Sequence, residues 1–392
     1  MTKSTARPPS AKEPAFPPIV MYGLCRWDYI VNRPQNLAQQ LARHTDVYYI
    51  DPPLAASEVG RSVQQLGRHI LGPSLTLAPR DNGVVTIRTK LRLPFSGKLK
   101  TVEAVNHRLL ARALASFAKR LPRPPALWVM YPAEHRLFSR FPKSCLVYDL
   151  VDRHSHFPGQ PATTLAAIER GERWLFDNAD LVTVTSRSLN SYALEAGAKY
   201  VASLPNGCDS HHFGRAVRPP THSPSPVIGY VGALGEWIDF DAIASVARAL
   251  PSARVVLAGP FHAPVEKLPP GLPDNVEHVG VLDYKILPDF MKQFDLALIP
   301  FLISSMTEAV NPVKVYEYLA AGKPVLATPL PELMPLSDVV DIQPADGFAA
   351  AAQRLIAADS MEQIEKRLAT AAENSWQTRA EVALAMIAET SD

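Results

Sequence analysis

This 392-residue chain predicts a pair of α/β domains, each a largely parallel sheet wrapped in helices. Three observations lead there. Short apolar runs alternate with amphipathic stretches from residue 19 to the C-terminus, as parallel strands and their covering helices do. The alternation runs twice, and residues 215–226 separate the two passes. That segment holds Pro219, Pro220, Pro224 and Pro226 with few apolar side chains, and reads as a linker. The length also suits two domains of ordinary size. The expected bounds are a disordered, proline-rich tail at 1–18, a first domain at 19–214, the linker at 215–226, a second domain at 227–374 and a closing segment at 375–392.

In the first domain, strands are expected at 19–22, 47–50, 84–88, 127–131, 146–150, 181–185 and 200–204, each a short apolar run. Helices are expected at 34–43, 98–119, 164–176 and 188–196. Pro34 suits a first helical position, where its missing N–H would go unpaired anyway. In the second domain the strands are 227–231, 254–258, 276–279, 296–300, 324–327 and 339–342. The helices are 240–250, 287–293, 313–321 and 347–358. A last helix at 378–388 has Val382, Leu384, Ala385 and Ile387 as its apolar positions. Ligands of such domains bind at the carboxyl ends of the strands, here in a cleft between the two units.

With 47% hydrophobic and 20% charged residues, the composition supports a sizeable core and excludes global disorder. The apolar runs are too short to span a bilayer, and the tail lacks the apolar run of a signal peptide. Cys25, Cys145 and Cys208 are scattered without metal-type spacing. They read as buried or free thiols of a reducing cytoplasm, and no metal is expected. The net charge of +2 is unevenly spread: residues 59–123 hold thirteen basic against two acidic residues. Leu91, Leu93, Phe95 and Leu99 lie among them, so an anionic membrane surface is the expected partner, met by Arg88, Lys90, Arg92, Lys98 and Lys100. No nucleic-acid motif accompanies the charge.

The most informative stretch is residues 311–328, Asn-Pro-Val-Lys-Val-Tyr-Glu-Tyr-Leu-Ala-Ala-Gly-Lys-Pro-Val-Leu-Ala-Thr. Pro312 suits a helix start, Gly322 the left-handed residue after its last turn, and Pro324 forbids continuation. Lys314 sits in the first turn, where the helix dipole disfavours a cation. An anion bound there, such as a phosphate, would account for it, with Glu317 one turn on to accept hydrogen bonds from ribose hydroxyls. Without a ligand the same two residues make a solvated Lys–Glu pair.

Four further segments carry chemistry. Gly232 and Gly235 follow the apolar strand 227–231, where glycines let backbone N–H groups approach a diphosphate. Trp27, Asp28 and Arg33 lie in the turn after the first strand; Arg33 has the bidentate geometry for a phosphate on the acceptor side. Asp149, Asp152, Arg153, His154 and His156 cluster at the end of strand 146–150, and Asp149, Asp152 and His154 are the candidate catalytic groups. Leu204-Pro-Asn-Gly-Cys-Asp209 holds a strong Asn-Gly turn and reads as architectural.

Residues 311–328, 204–213 and 27–35 together resemble the GT-B glycosyltransferases, in particular the retaining family 4 group and its bacterial teichuronic-acid-type members. The resemblance implies two Rossmann-like domains facing a cleft, with the C-terminal helix, marked by Ser375-Trp376, crossing back to the first domain. It implies transfer of a sugar from a UDP- or GDP-sugar to a lipid-linked or polysaccharide acceptor, with retention and no cofactor, peripheral to the inner face of the plasma membrane. Nucleotide-sugar binding would fall to Gly232, Gly235, Glu308, Asn311, Lys314 and Glu317. The chain departs from the family in two places. Where many members have a second glutamate stands Ala309, with Glu308 beside it. The Arg and Lys that usually follow the glycine turn are missing, which shifts diphosphate neutralisation onto Lys314. A sugar-nucleotide epimerase of the same architecture and a non-catalytic scaffold subunit are the alternatives.

Overall fold

The computed structural model describes residues 15–52, 75–89, 100–157, 159–221 and 223–391. The first sheet comprises β1 (Ile19–Tyr22), β2 (Val47–Ile50), β3 (Leu75–Pro79), β4 (Val84–Thr89), β5 (Ala126–Val129), β6 (Cys145–Leu150), β7 (Leu181–Val184) and β8 (Val201–Ser203). Its order is β3-β4-β2-β1-β5-β6-β7-β8, parallel except for the β3–β4 hairpin. The second sheet comprises β9 (Val227–Val231), β10 (Arg254–Ala258), β11 (Val276–His278), β12 (Leu296–Ile299), β13 (Val325–Ala327) and β14 (Asp341–Ile342). Its order is β11-β10-β9-β12-β13-β14, all parallel. Each order reverses at the domain's first strand, β1 or β9. The loops after those strands therefore open at the switch points where such sheets bind ligands.

Central strands are buried on both faces, which is why they read as unbroken apolar runs. Helices α1 (Arg33–Leu41), α2 (Lys100–Ala118), α3 (Ala162–Asn178) and α4 (Arg187–Glu195) surround the first sheet. Asn32 and Gln35 form a capping box at the start of α1. In the second domain come α5 (Ser210–Gly214), α6 (Phe240–Ala249), α7 (Leu287–Lys292), α8 (Val313–Ala320), α9 (Phe348–Ala358) and α10 (Met361–Glu373). Three elements are additional to those expected, the short α5 among them. The β3 strand pairs through a turn at Asn82-Gly83, a hairpin signal present in the sequence. The third, α10, buries little beyond Ile364, Arg367 and Ala371. Its weak apolar pattern hid it, and Arg367 is held by the Gly322 carbonyl and Asp359 instead.

The last helix, α11 (Trp376–Ser391), crosses back onto the first domain. Ala380, Ala383, Leu384 and Ile387 pack with Leu37, Ala38 and Leu41 of α1. Val382 and Ala385, expected on the apolar face, are exposed, because the buried stripe follows the contact with α1 rather than the most hydrophobic side chains. At the crossing, Cys208 N–H donates to the Asn374 carbonyl and Trp376 N–H to the Cys208 carbonyl. A Cβ on Gly207 would lie 2.7 Å from the Asn374 oxygen, so only glycine permits this approach. The linker is anchored by Arg218, which donates to the Lys292, Gln293 and Phe294 carbonyls and to Asp295.

Candidate functional site

The helix start read from the sequence forms at α8. Pro312 precedes its first residue and supplies no side-chain cap, Gly322 is left-handed at φ +69°, and Lys323 N–H closes onto the Tyr318 carbonyl. In this ligand-free chain Lys314 Nζ donates to Glu317 Oε2 at 2.7 Å. Their side chains are 26% and 4% exposed, so the lysine can turn outward while the carboxylate stays put. Glu308 stands exposed on a short turn (Thr307–Ala309), and neighbouring Ala309 is buried against the first domain's core.

Asn311 faces the other domain. Its Oδ1 accepts from Asn206 N–H and its carbonyl from Asn206 Nδ2, while its own Nδ2 donates to Tyr316 OH. Its amide is thus committed to the domain junction rather than to a donor sugar. Gly232 is corrected in the same way: its N–H already donates to the Ala258 carbonyl at 2.8 Å. Leu234 N–H donates to the Pro260 carbonyl, and the Trp237 ring lies where a Cβ on Gly235 would go. Gly232 packs against Gly259 of the loop after β10, which spacing within one loop does not reveal, while Gly235 leaves room for Trp237 of its own loop. Trp237 also lies 5.1 Å from His262, an exposed imidazole that the sequence reading missed.

In the first domain, Asp149 is fully buried and accepts four hydrogen bonds: from Arg33 Nε (3.0 Å), Arg33 Nη2 (2.9 Å), Trp128 Nε1 (3.1 Å) and Thr183 Oγ1 (2.9 Å). Arg33 Nη1 adds the Pro205 carbonyl and Asn206 Oδ1. The pair is a buried bolt, and breaking such a pair costs about 3–5 kcal/mol. Four of the five Arg33 N–H donors are engaged here, and all four lone-pair positions of Asp149 are filled, which leaves Asp149 none for a reacting proton. The reason lies across strands: Thr183 is the register partner of Asp149 on β7. Trp27 and Asp28 are likewise bound into the loop after β1. Trp27 N–H donates to Asp51 and its ring meets Tyr49, while Asp28 takes Arg80 bidentately and Arg88 at 2.6 Å. Hydrogen bonds from Arg80 lead in holding the Asp28 carboxyl below its usual range. Tyr29 and Ile30, not singled out from the sequence, stand exposed at the tip of this loop.

Asp152 differs from Asp149. It is half-buried at the end of β6, and among the described residues its carboxylate makes no hydrogen bond. Desolvation raises its pKa to about 7 against the opposing charge of Arg33. His154 is buried, its Nε2 3.3 Å from the Met130 carbonyl, and burial pushes its pKa down to about 4. It is a neutral, packed ring between Tyr131 and Phe157. The Arg153 guanidinium lies 3.7 Å over the Tyr192 ring. Among the described residues no group of three or more His, Cys, Asp or Glu could hold a metal ion.

The two domains meet around these groups. Besides Asn206–Asn311, Arg187 N–H donates to Glu332 Oε1 at 2.8 Å. Residues 225–358 match the family model for glycosyl transferases group 1. Over 225 residues the chain is 28% identical to the putative teichuronic acid biosynthesis glycosyltransferase TuaH of Bacillus subtilis (strain 168), covering 52% of this chain and 55% of that relative. The match thus spans about half the relative's length. The whole fold is similar to sucrose-phosphate synthase from Thermosynechococcus elongatus (TM-score 0.67, 15% identity, 95% of this chain and 98% of that one). It is also similar to the alpha,alpha-trehalose-phosphate synthase (UDP-forming) of Burkholderia xenovorans in complex with glucose-6-phosphate (TM-score 0.64, 11% identity, 95% and 99%). The chain has the GT-B fold, as the sequence resemblance implied.

Proposed function

We propose that the chain transfers a sugar from a UDP- or GDP-sugar to a lipid-linked or polysaccharide acceptor of a bacterial surface or exopolysaccharide, with retention. The observation that carries the reading is the placement of Lys314 and Glu317 at the uncapped start of α8, just after Asn311, which bonds Asn206 across the domain junction. Lys314 turns to the diphosphate, where the N-terminal dipole of α8 adds to its charge. Glu317 is released to accept the ribose hydroxyls. In a retaining transfer the departing diphosphate takes the acceptor proton on the same face. Asp152, ionised, accepts a sugar hydroxyl and opposes the positive charge developing at the anomeric carbon. No metal or cofactor is needed in this scheme. Turnover of purified protein, screened across UDP- and GDP-sugars, tests it; no donor consumption with any of them would refute it.

Replacing Lys314 with Ala is expected to weaken a nucleoside diphosphate at least tenfold while leaving the bare nucleoside within twofold, by calorimetry. One charge-assisted contact contributes about 1.5–3 kcal/mol. Equal weakening of both would make Lys314 structural.

The proposed site of action is the inner face of the plasma membrane. No helix among the described residues is long and apolar enough to cross a membrane. Of the five expected membrane-facing cations, Lys90, Arg92 and Lys98 lie outside the described residues, as does the Lys100 side chain. Arg88 is redirected: it ties Asp28 and lies 3.7 Å from Asp51, so it clamps a loop. The support comes instead from α2, whose outward stripe carries exposed Val105, Arg108, Leu109 and Arg112. Each arginine near an anionic surface contributes about 1 kcal/mol, and the apolar pair adds burial. Sedimentation with phosphatidylglycerol vesicles, salt-released, is expected, with weak binding to phosphatidylcholine. A Val105→Glu, Arg108→Gln, Leu109→Glu, Arg112→Gln variant is expected to lose vesicle binding and keep nucleotide affinity. Equal binding to both vesicle types would exclude a charge-driven surface.

A further inference from the structure

Asn206 is the point at which three parts of the molecule are joined. Its Oδ1 accepts from Arg33 Nη1 at 3.1 Å, on the first domain's α1. Its Nδ2 donates to the Asn311 carbonyl at 2.7 Å, and its N–H donates to Asn311 Oδ1 at 3.0 Å, both on the second domain. Its carbonyl accepts from Arg379 Nε at 3.1 Å, on the crossing helix α11. Arg33, Asn206 and Asn311 are all buried.

The two ends of this chain of bonds are the groups that a transfer reaction must align. Asn311 stands two residues before α8, which carries Lys314 and Glu317. Arg33 grips Asp149, three residues before Asp152, and its charge acts on Asp152. A primary amide fits the position for a chemical reason. It offers an acceptor to the guanidinium and, from the same side chain, a donor to a carbonyl. Aspartate keeps the first and lacks the second. Alanine lacks both. Neither Asn206 nor Arg33 needs to touch donor or acceptor for this role.

We propose that Asn206 is a positioning residue, whose amide sets the donor helix α8 at a fixed place against the first-domain carboxylate Asp152. The proposal rests on the glycosyl-transfer reading above. Reacting groups carried on separate domains lose rate steeply when their relative placement loosens, even by about 1 Å. On that reading the donor site, Lys314 and Glu317, lies within the second domain, so nucleotide affinity stays while turnover falls.

The test uses Asn206→Ala and Asn206→Asp in the full chain. Both are expected to lower kcat about a hundredfold, with the Kd for UDP or GDP by calorimetry within threefold of the parent. The aspartate variant discriminates, because it retains the Arg33 contact. Near-parental turnover in Asn206→Asp would show that only the Arg33 contact matters, and would overturn the proposal. So would a nucleotide Kd that worsens as much as kcat falls. Scanning calorimetry supplies a readout independent of activity. The parent is expected to unfold in one transition and both variants in two, as the domains lose their coupling. A parent inactive on every nucleotide sugar refutes the transfer reading alone, and the positioning claim is then judged by this readout. A single transition in both variants would overturn it.

Discussion

Replacing Glu317 with Ala is expected to weaken UDP or GDP binding far more than tenfold. The carboxylate is buried at the first turns of α8 and, in the free chain, is held by Lys314 at 2.7 Å. When the lysine turns to the diphosphate, Glu317 is left as an ionised acceptor in a largely desolvated place. Two charge-assisted hydrogen bonds to ribose hydroxyls contribute about 1.5–3 kcal/mol each before relaxation. Glu317→Gln preserves the volume and removes the charge. It is expected to keep the melting temperature of the nucleotide-free protein within a few degrees and still lose most of the affinity. Lys314 tolerates the loss because its ammonium reaches solvent. Calorimetry showing parental affinity in both variants would remove Glu317 from the donor site.

Replacing Asp152 with Asn is expected to lower kcat by about 10²–10³, the range for deleting one preorganised electrostatic partner. The parent's kcat is expected to rise with pH through about 7, where the Asp152 carboxyl ionises, and the residual rate of the variant is expected to lack that limb. Stability supplies an independent sign. The folded-state pKa is raised well above the unfolded value, so the favourable contribution of this group is complete below about pH 4. It is lost progressively as pH rises towards 7. The variant carries no such penalty. It is expected to melt at the parental temperature at pH 4 and to be more stable at pH 8, by on the order of 2 kcal/mol after discounting for partial exposure. An unchanged pH–rate profile together with equal melting at pH 8 would return Asp152 to an ordinary surface role.

The contrast between Asp149 and Asp152 shows how far the sequence reaches. The two carboxylates stand three residues apart at the end of one strand, and in sequence they are equivalent candidates. Trp128 and Thr183, on the strands either side, fill the lone pairs of Asp149, and Arg33 arrives from 116 residues earlier. None of those partners is near in the chain. Arg33 and Asn311 show the same limit: each is read from its own loop in sequence, and each has its partners in another part of the molecule. Gly232 was legible as a glycine, but the loop packed against it comes from β10.

What the sequence determined alone was local or periodic. The two sheets, their central strands and the boundaries of α8 follow from apolar runs, proline and glycine positions, and the left-handed residue at Gly322. Such features depend on backbone sterics and on which faces are buried, and both are written within a few residues. The Asn-Gly of residues 206–207 announced a turn, while its use as the meeting point of α1, α8 and α11 did not show. Tertiary structure decided which polar groups are spent and which are left free. A hydrogen-bond donor or a carboxylate is consumed by whatever the fold places within about 3 Å of it. Asp152 emerged as the candidate because the fold supplies every partner Asp149 needs, while among the described residues the carboxylate of Asp152 makes no hydrogen bond.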